Sequence, residues 1–119
     1  MWTPAFASAV RAHFPDRAFT PVIVGIETHI CVIQTCLDLL AGGHKAYVLA
    51  DGVSSCNKEE VRVALDRLRA EGVVVTTSEG WLYECMGDAG IAEFREISRL
   101  VREWKDETQN VLRALCPAD

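Results

Sequence analysis

The chain predicts an α/β fold: three parallel strands in a βαβαβ unit, followed by helices. Three observations predict it. Short β-branched runs alternate with longer helical patterns along the whole length. The strand candidates are apolar at successive positions, the pattern of strands covered on both faces of a parallel sheet. The intervening helical candidates repeat apolar residues at spacings of three and four. Right-handed crossovers would place both connecting helices on one face.

The residues around Pro4 to Ala12 are read as a first helix, and Pro21 to Ile26 (PVIVGI) as the first strand. Ile30, Ile33, Leu37 and Leu40 then make one helical stripe, stopped by Gly42 and Gly43. Ala46 to Ala50 (AYVLA) is the second strand, ending at a turn of Asp51 and Gly52. Asn57 with Glu60 resembles a capping box, and Val61, Ala64, Leu65 and Leu68 form the buried stripe of a helix ended by Gly72. Val73 to Thr77 is the third strand, and Ser78 caps a short helix through about Met86. Beyond Gly87 a longer helix is predicted from about Ile91 to Trp104, and Thr108, Val111, Leu112 and Leu115 continue helical spacing in a tail.

In a sheet of this order the first strand lies at an edge. It carries none of the Lys, bulge signal or interior Pro that natural edges use against association. Its composition asks for a neighbour, from another part of a longer protein or from another chain. Self-association is the expected behaviour.

With 119 residues, 50% of them hydrophobic and 24% charged, the chain is sized for one domain. Twelve Lys and Arg against seventeen Asp and Glu give a net charge of −5, the wrong sign for a nucleic-acid footprint. No apolar run approaches the roughly 18 to 20 residues of a membrane span. The first residues lack the basic region and apolar core of a secretory signal, so the cytoplasm is the default location; Arg11, His13 and Arg17 leave a mitochondrial reading open. Five cysteines without a C-x-x-C pair argue for reduced thiols. His29, Cys31, Cys36 and His44 lack the usual zinc spacings, so no metal is assigned.

Ligands of open parallel sheets bind beyond the carboxyl ends of the strands, here Glu27 to Cys31, Asp51 to Ser55 and Thr77 to Glu79. With Thr28 as N-cap, His29, Ile30 and Cys31 are the first three helical positions. The thiol then lies at the positive end of the helix, where a thiolate is favoured and backbone donors can hold an oxyanion. A buried, inert cysteine is the other reading of this position. His29 fits substrate contact and a capping or solvent-facing role equally. Asp51 either orients the loop before Cys31 or accepts N–H bonds within its own turn, the reading preferred here. Cys36 is about 140° from Cys31 around a helix and belongs to the core. Trp81, Tyr83 and Trp104 are read as packing or subunit-contact residues.

The stretch from Val24 to Ser55, VGIETHICVIQTCLDLLAGGHKAYVLADGVSS, resembles the strand, nucleophile turn, helix and following strand of isochorismatase-like cysteine hydrolases. Val63 to Glu103 resembles the same group, so the likeness covers residues 1–105 as a partial domain, with 106–119 as a helical tail. The resemblance implies a Rossmann-like three-layer fold with a six-stranded parallel sheet, of which this chain holds the second half. It also implies a cofactor-free Asp, Lys, Cys triad that hydrolyses amides or vinyl ethers of small-molecule substrates. Cys31 takes the nucleophile position, the backbone N–H groups of Glu27 and Cys31 the oxyanion site, and Ile26–Glu27 the family's non-proline cis peptide. Thr28 and His29 are assigned to substrate binding, and Trp2 and Phe6 fall in a segment that lines the site's mouth in the family.

The family's Asp and Lys precede the segment that MWTPAF resembles, so no residue here takes their roles. The expectation is a hydrolase portion that carries the nucleophile loop and is catalytically incomplete by itself. The alternative is a non-enzymatic module pairing its open sheet edge with itself or with a full-length family member. A redox role for Cys31 is a third reading, for which the sequence offers no resolving cysteine.

Overall fold

A computed structural model describes residues 2–116. Met1 and residues 117–119, within the predicted domain and tail, lie outside the described residues. Three parallel strands, β1 (Val22–Ile26), β2 (Tyr47–Ser54) and β3 (Val74–Thr76), form one sheet in the order β1-β2-β3. The α/β class and the βαβαβ order are therefore as predicted.

Helix α1 (Pro4–His13) starts at Thr3, whose Oγ1 accepts the Phe6 N–H at 3.2 Å. Pro4 at the first helical position loses no helical bond there, because that N–H has no intrahelical acceptor. After β1, a wide turn (Thr28–Val32) leads into α2 (Ile33–Ala41), and α3 (Lys58–Ala70) follows β2. Val32, Ile33, Cys36 and Leu39 pack with Val48, Ala50 and Val53 of β2 and with Val61, Ala64, Leu65 and Leu68 of α3. The α3 stripe is the predicted one, but the stripe predicted for the preceding helix is corrected: Ile30 is exposed and Leu37 and Leu40 are only partly buried, because the wide turn shifts the buried face onto Val32, Ile33, Cys36 and Leu39.

Helices α4 (Ser78–Met86) and α6 (Lys105–Leu115) also pack on β2, and the Tyr47 hydroxyl donates to Glu84 at 2.5 Å. Helix α5 (Phe94–Glu103) contacts α6 and buries no residue fully. It starts later than the predicted Ile91. Asp88 draws the Gly90 N–H onto its carboxylate at 2.8 Å, holding the chain in a turn ahead of the helix.

Two further expectations are corrected. The second strand does not end at Asp51 and Gly52 but runs to Ser54. Ile23 pairs with Val48 and Gly25 with Val53, so β2 accommodates extra residues in a bulge against β1. Gly52 lies inside that bulge, where a Cβ would stand 2.8 Å from Val24 Cγ1. The capping box of α3 does not form either. Asn57 is the N-cap, but its side chain makes no capping bond.

The centre of the sheet meets the prediction of strands covered on both faces: Tyr47, Val48, Leu49 and Ala50 are all buried. The edge does not, since Val24 is 57% and Ile26 67% exposed. The molecule is a slab of 40 × 38 × 22 Å with a radius of gyration of 15.7 Å, against about 13.5 Å for a compact chain of this length.

Candidate active site

The peptide between Ile26 and Glu27 is cis. Glu27, extended at φ −84° and ψ 134°, is the N-cap of the turn, so the predicted N-cap at Thr28 is corrected by one residue. The turn is wider than an α-helix. Val32 donates to the Glu27 carbonyl at 3.2 Å and Ile33 to the Thr28 carbonyl, both i to i+5 bonds. Ile30 also donates to the Glu27 carbonyl, at 3.1 Å, so both neighbours of Cys31 are tied to one oxygen. The Cys31 side chain is partly exposed within this turn.

Thr28 is fully buried. Its hydroxyl donates to the Ser54 carbonyl at 2.9 Å, and its N–H donates to Ser55 Oγ at 3.1 Å. The side chain thus joins the cysteine turn to the end of β2. An unpaired buried hydroxyl or carbonyl costs about 1 to 3 kcal/mol, which is why the pair is well specified once the loops meet. His29 lies beside it, partly exposed, with Nδ1 2.9 Å from Ser55 Oγ and 4.0 Å from Glu27 Oε2.

The Glu27 carboxylate accepts the Cys56 N–H at 2.7 Å. Its side chain, not only its backbone, therefore has a structural task at the residue before the Asn57 N-cap. A carboxylate is well placed at the positive end of α3. Ser54, Ser55 and Cys56 carry much of this loop geometry and were not singled out from sequence. The one local signal was a run of small polar residues directly after a strand.

Asp51 touches neither the Cys31 turn nor a turn of its own. Its carboxylate accepts the Ser78 N–H at 2.8 Å and the Ser78 hydroxyl at 2.5 Å, fastening the third loop to β2. The N-cap of α4 is consequently Thr77, whose Oγ1 accepts the Gly80 N–H at 3.2 Å, and not the predicted Ser78. All three strand-end loops are interlinked, the first two through Thr28, His29 and Glu27 and the last two through Asp51.

The other thiols differ in setting. Cys36 is fully buried, and that burial pushes its pKa up to about 11, so it stays a neutral core thiol. Burial first, and then Asp51, push the Cys116 thiol up as well. Cys56 and Cys85 are exposed.

Trp2 packs edge-on against Phe6 and His44 and beside Phe19. Phe19 and His44 precede β1 and β2, so this aromatic group sits at the amino ends of the strands, away from Cys31.

A parallel α/β domain whose strand-end loops hold a partly exposed cysteine in a wide turn defines the class of protein. A family profile described as "Isochorismatase domain" matches residues 2–80, and the chain belongs to the isochorismatase family. It is 39% identical over 103 residues to the secreted isochorismatase effector Isc1 of Phytophthora sojae, covering 87% of this chain and 49% of that protein. It is 42% identical over 103 residues to isochorismatase domain-containing protein 2 of Xenopus laevis, again covering 87% and 49%. Among solved structures, the MAR1 ribonuclease of Caenorhabditis elegans matches with a TM-score of 0.73 and 30% identity, over 85% of this chain and 50% of that one. The chain spans about half the length of the curated relatives it matches.

Proposed function

We propose that this chain carries the nucleophile portion of an isochorismatase-family cysteine hydrolase site, with Cys31 as nucleophile and a small-molecule amide or vinyl ether as substrate class. The observation that carries the reading is the wide turn at Cys31, anchored on the end of β2 by the buried Thr28. For an amide, the Cys31 thiolate adds to the carbonyl carbon, and the oxyanion rests on the backbone N–H groups of Glu27 and Cys31. The C–N bond then breaks, the leaving nitrogen takes a proton, and water hydrolyses the thioester to release acid and thiol.

The proton transfers in those steps need a base and an acid. Each such group contributes roughly 10² to 10⁴ in rate, and the family's Asp and Lys have no counterpart in this sequence. The chain alone is accordingly a poor catalyst, completed by residues it does not contain. The ribonuclease activity named for structural neighbours is not carried over, because a net charge of −5 opposes a polyanionic substrate.

The test is iodoacetamide labelling at neutral pH with peptide mapping, using the exposed Cys85 as internal reference. Cys31 labelling at least tenfold faster than Cys85 supports the nucleophile. Equal or slower labelling removes it.

A second reading rests on a different observation. Val24 and Ile26 leave β1 uncovered, which favours an interaction module pairing this strand with a second copy or with a full-length family member. Concentration-dependent association in sedimentation supports it, and a stable monomer at high concentration refutes it.

A further inference from the structure

Outside the thiol chemistry of Cys31, the strand-end loops bring together a second group of reactive side chains. Glu27, His29 and Cys56 each offer one ligand atom, and these atoms all lie within 4.8 Å of one another. Glu27 and His29 flank Thr28 at the start of the cysteine turn. Cys56 arrives from the far end of β2 because Thr28 fastens the turn to Ser54 and Ser55. The trio is a product of tertiary structure and shares only His29 with the set His29, Cys31, Cys36 and His44, whose spacing carries no zinc signal.

We propose that Glu27, His29 and Cys56 form a binding site for a zinc-class divalent cation. The donor set is a carboxylate oxygen, an imidazole nitrogen and a thiolate sulfur. A thiolate with an imidazole selects zinc-like ions over magnesium and calcium, which take oxygen ligands. Three protein ligands leave a fourth tetrahedral position for water. The carboxylate and the thiolate together neutralise the divalent charge.

The geometry is close to that required. Tetrahedral zinc, with bonds of about 2.0 to 2.3 Å, sets its ligand atoms about 3.3 to 3.6 Å apart. Closing from within 4.8 Å needs a displacement of about 1 Å, which the exposed Cys56 side chain can supply by rotation. The surroundings are already ordered for it. Ser55 Oγ stands 2.9 Å from Nδ1 of His29 and holds the imidazole beside Glu27, whose Oε2 is 4.0 Å from the same nitrogen. The Cys56 N–H fixes the Glu27 carboxylate, so two of the three ligands also hold each other's backbone or side chain in place. Glu27 and His29 are part-buried rather than freely solvated.

Cobalt titration of the reduced full chain tests the site, because cobalt replaces zinc and a thiolate ligand gives it a charge-transfer band in the near ultraviolet. The expected result is a band that saturates at one equivalent and is bleached by zinc. Cys56→Ser abolishes the band, His29→Ala weakens binding at least tenfold, and Cys85→Ser leaves both unchanged. No band, a band that survives in Cys56→Ser, or a band lost in Cys31→Ser overturns the assignment. In the unsubstituted protein, zinc should also slow iodoacetamide labelling of Cys56 at least tenfold. An unchanged rate overturns the proposal without reliance on any variant.

Discussion

The buried hydroxyl of Thr28 donates to the carbonyl of Ser54 at 2.9 Å, across 26 residues of sequence. This bond, with the Thr28 N–H on Ser55 Oγ, sets where the cysteine turn stands against β2. It also decides which side chains of the two loops meet. His29, Ser55, Glu27 and Cys56 are neighbours in the two loops that Thr28 joins.

Thr28→Val keeps the shape of the side chain and removes the donor, leaving the part-buried Ser54 carbonyl without this partner. The expected loss is about 1 to 3 kcal/mol in urea unfolding, with Thr28→Ser retaining most of the stability. A loss below about 0.5 kcal/mol in Thr28→Val would show that the bond does not hold the turn.

Gly52→Ala places a methyl group 2.8 Å from Val24 Cγ1 inside the bulge of β2. Overpacking of this kind costs about 1 to 3 kcal/mol. Because Val24 is the obstacle, Val24→Ala should relieve most of that loss in a double-mutant cycle. Strict additivity of the two substitutions would contradict the contact.

The exposed apolar surface of β1 makes self-association depend on Val24 and Ile26. Lysine at both positions should shift the sedimentation profile to monomer at a concentration where the parent chain associates, since charged side chains block edge pairing. Equal association of both proteins would place the contact elsewhere.

Burial raises the Cys36 pKa from its ordinary 9.0 to about 11. Below pH 9 both folded and unfolded chains hold this proton, and the stabilisation is constant. As pH rises from 9 towards 11 the unfolded chain releases the proton first, so stability falls across that window. Urea unfolding between pH 8 and pH 10.5 should show the fall, and Cys36→Ala should reduce its slope. An identical slope in the variant would mean that other groups carry it.

The sequence by itself determined the order of strands and helices and most of the core. Val61, Ala64, Leu65 and Leu68 are buried as their spacing predicts, since periodicity is a local property that any amphipathic helix must express. It also marked the turn after β1 as the place of a distinctive cysteine and the first strand as an unguarded edge. Tertiary structure alone decided that β2 continues through Asp51 and Gly52, that Asp51 serves Ser78, and that Trp2 sits at the amino ends of the strands. It alone joined Glu27 to Cys56 and Thr28 to Ser54. Apolar patterning tells which face of a strand is buried. The bulge and register that bring distant polar groups within bonding distance depend on how neighbouring strands pack, and no local pattern encodes that.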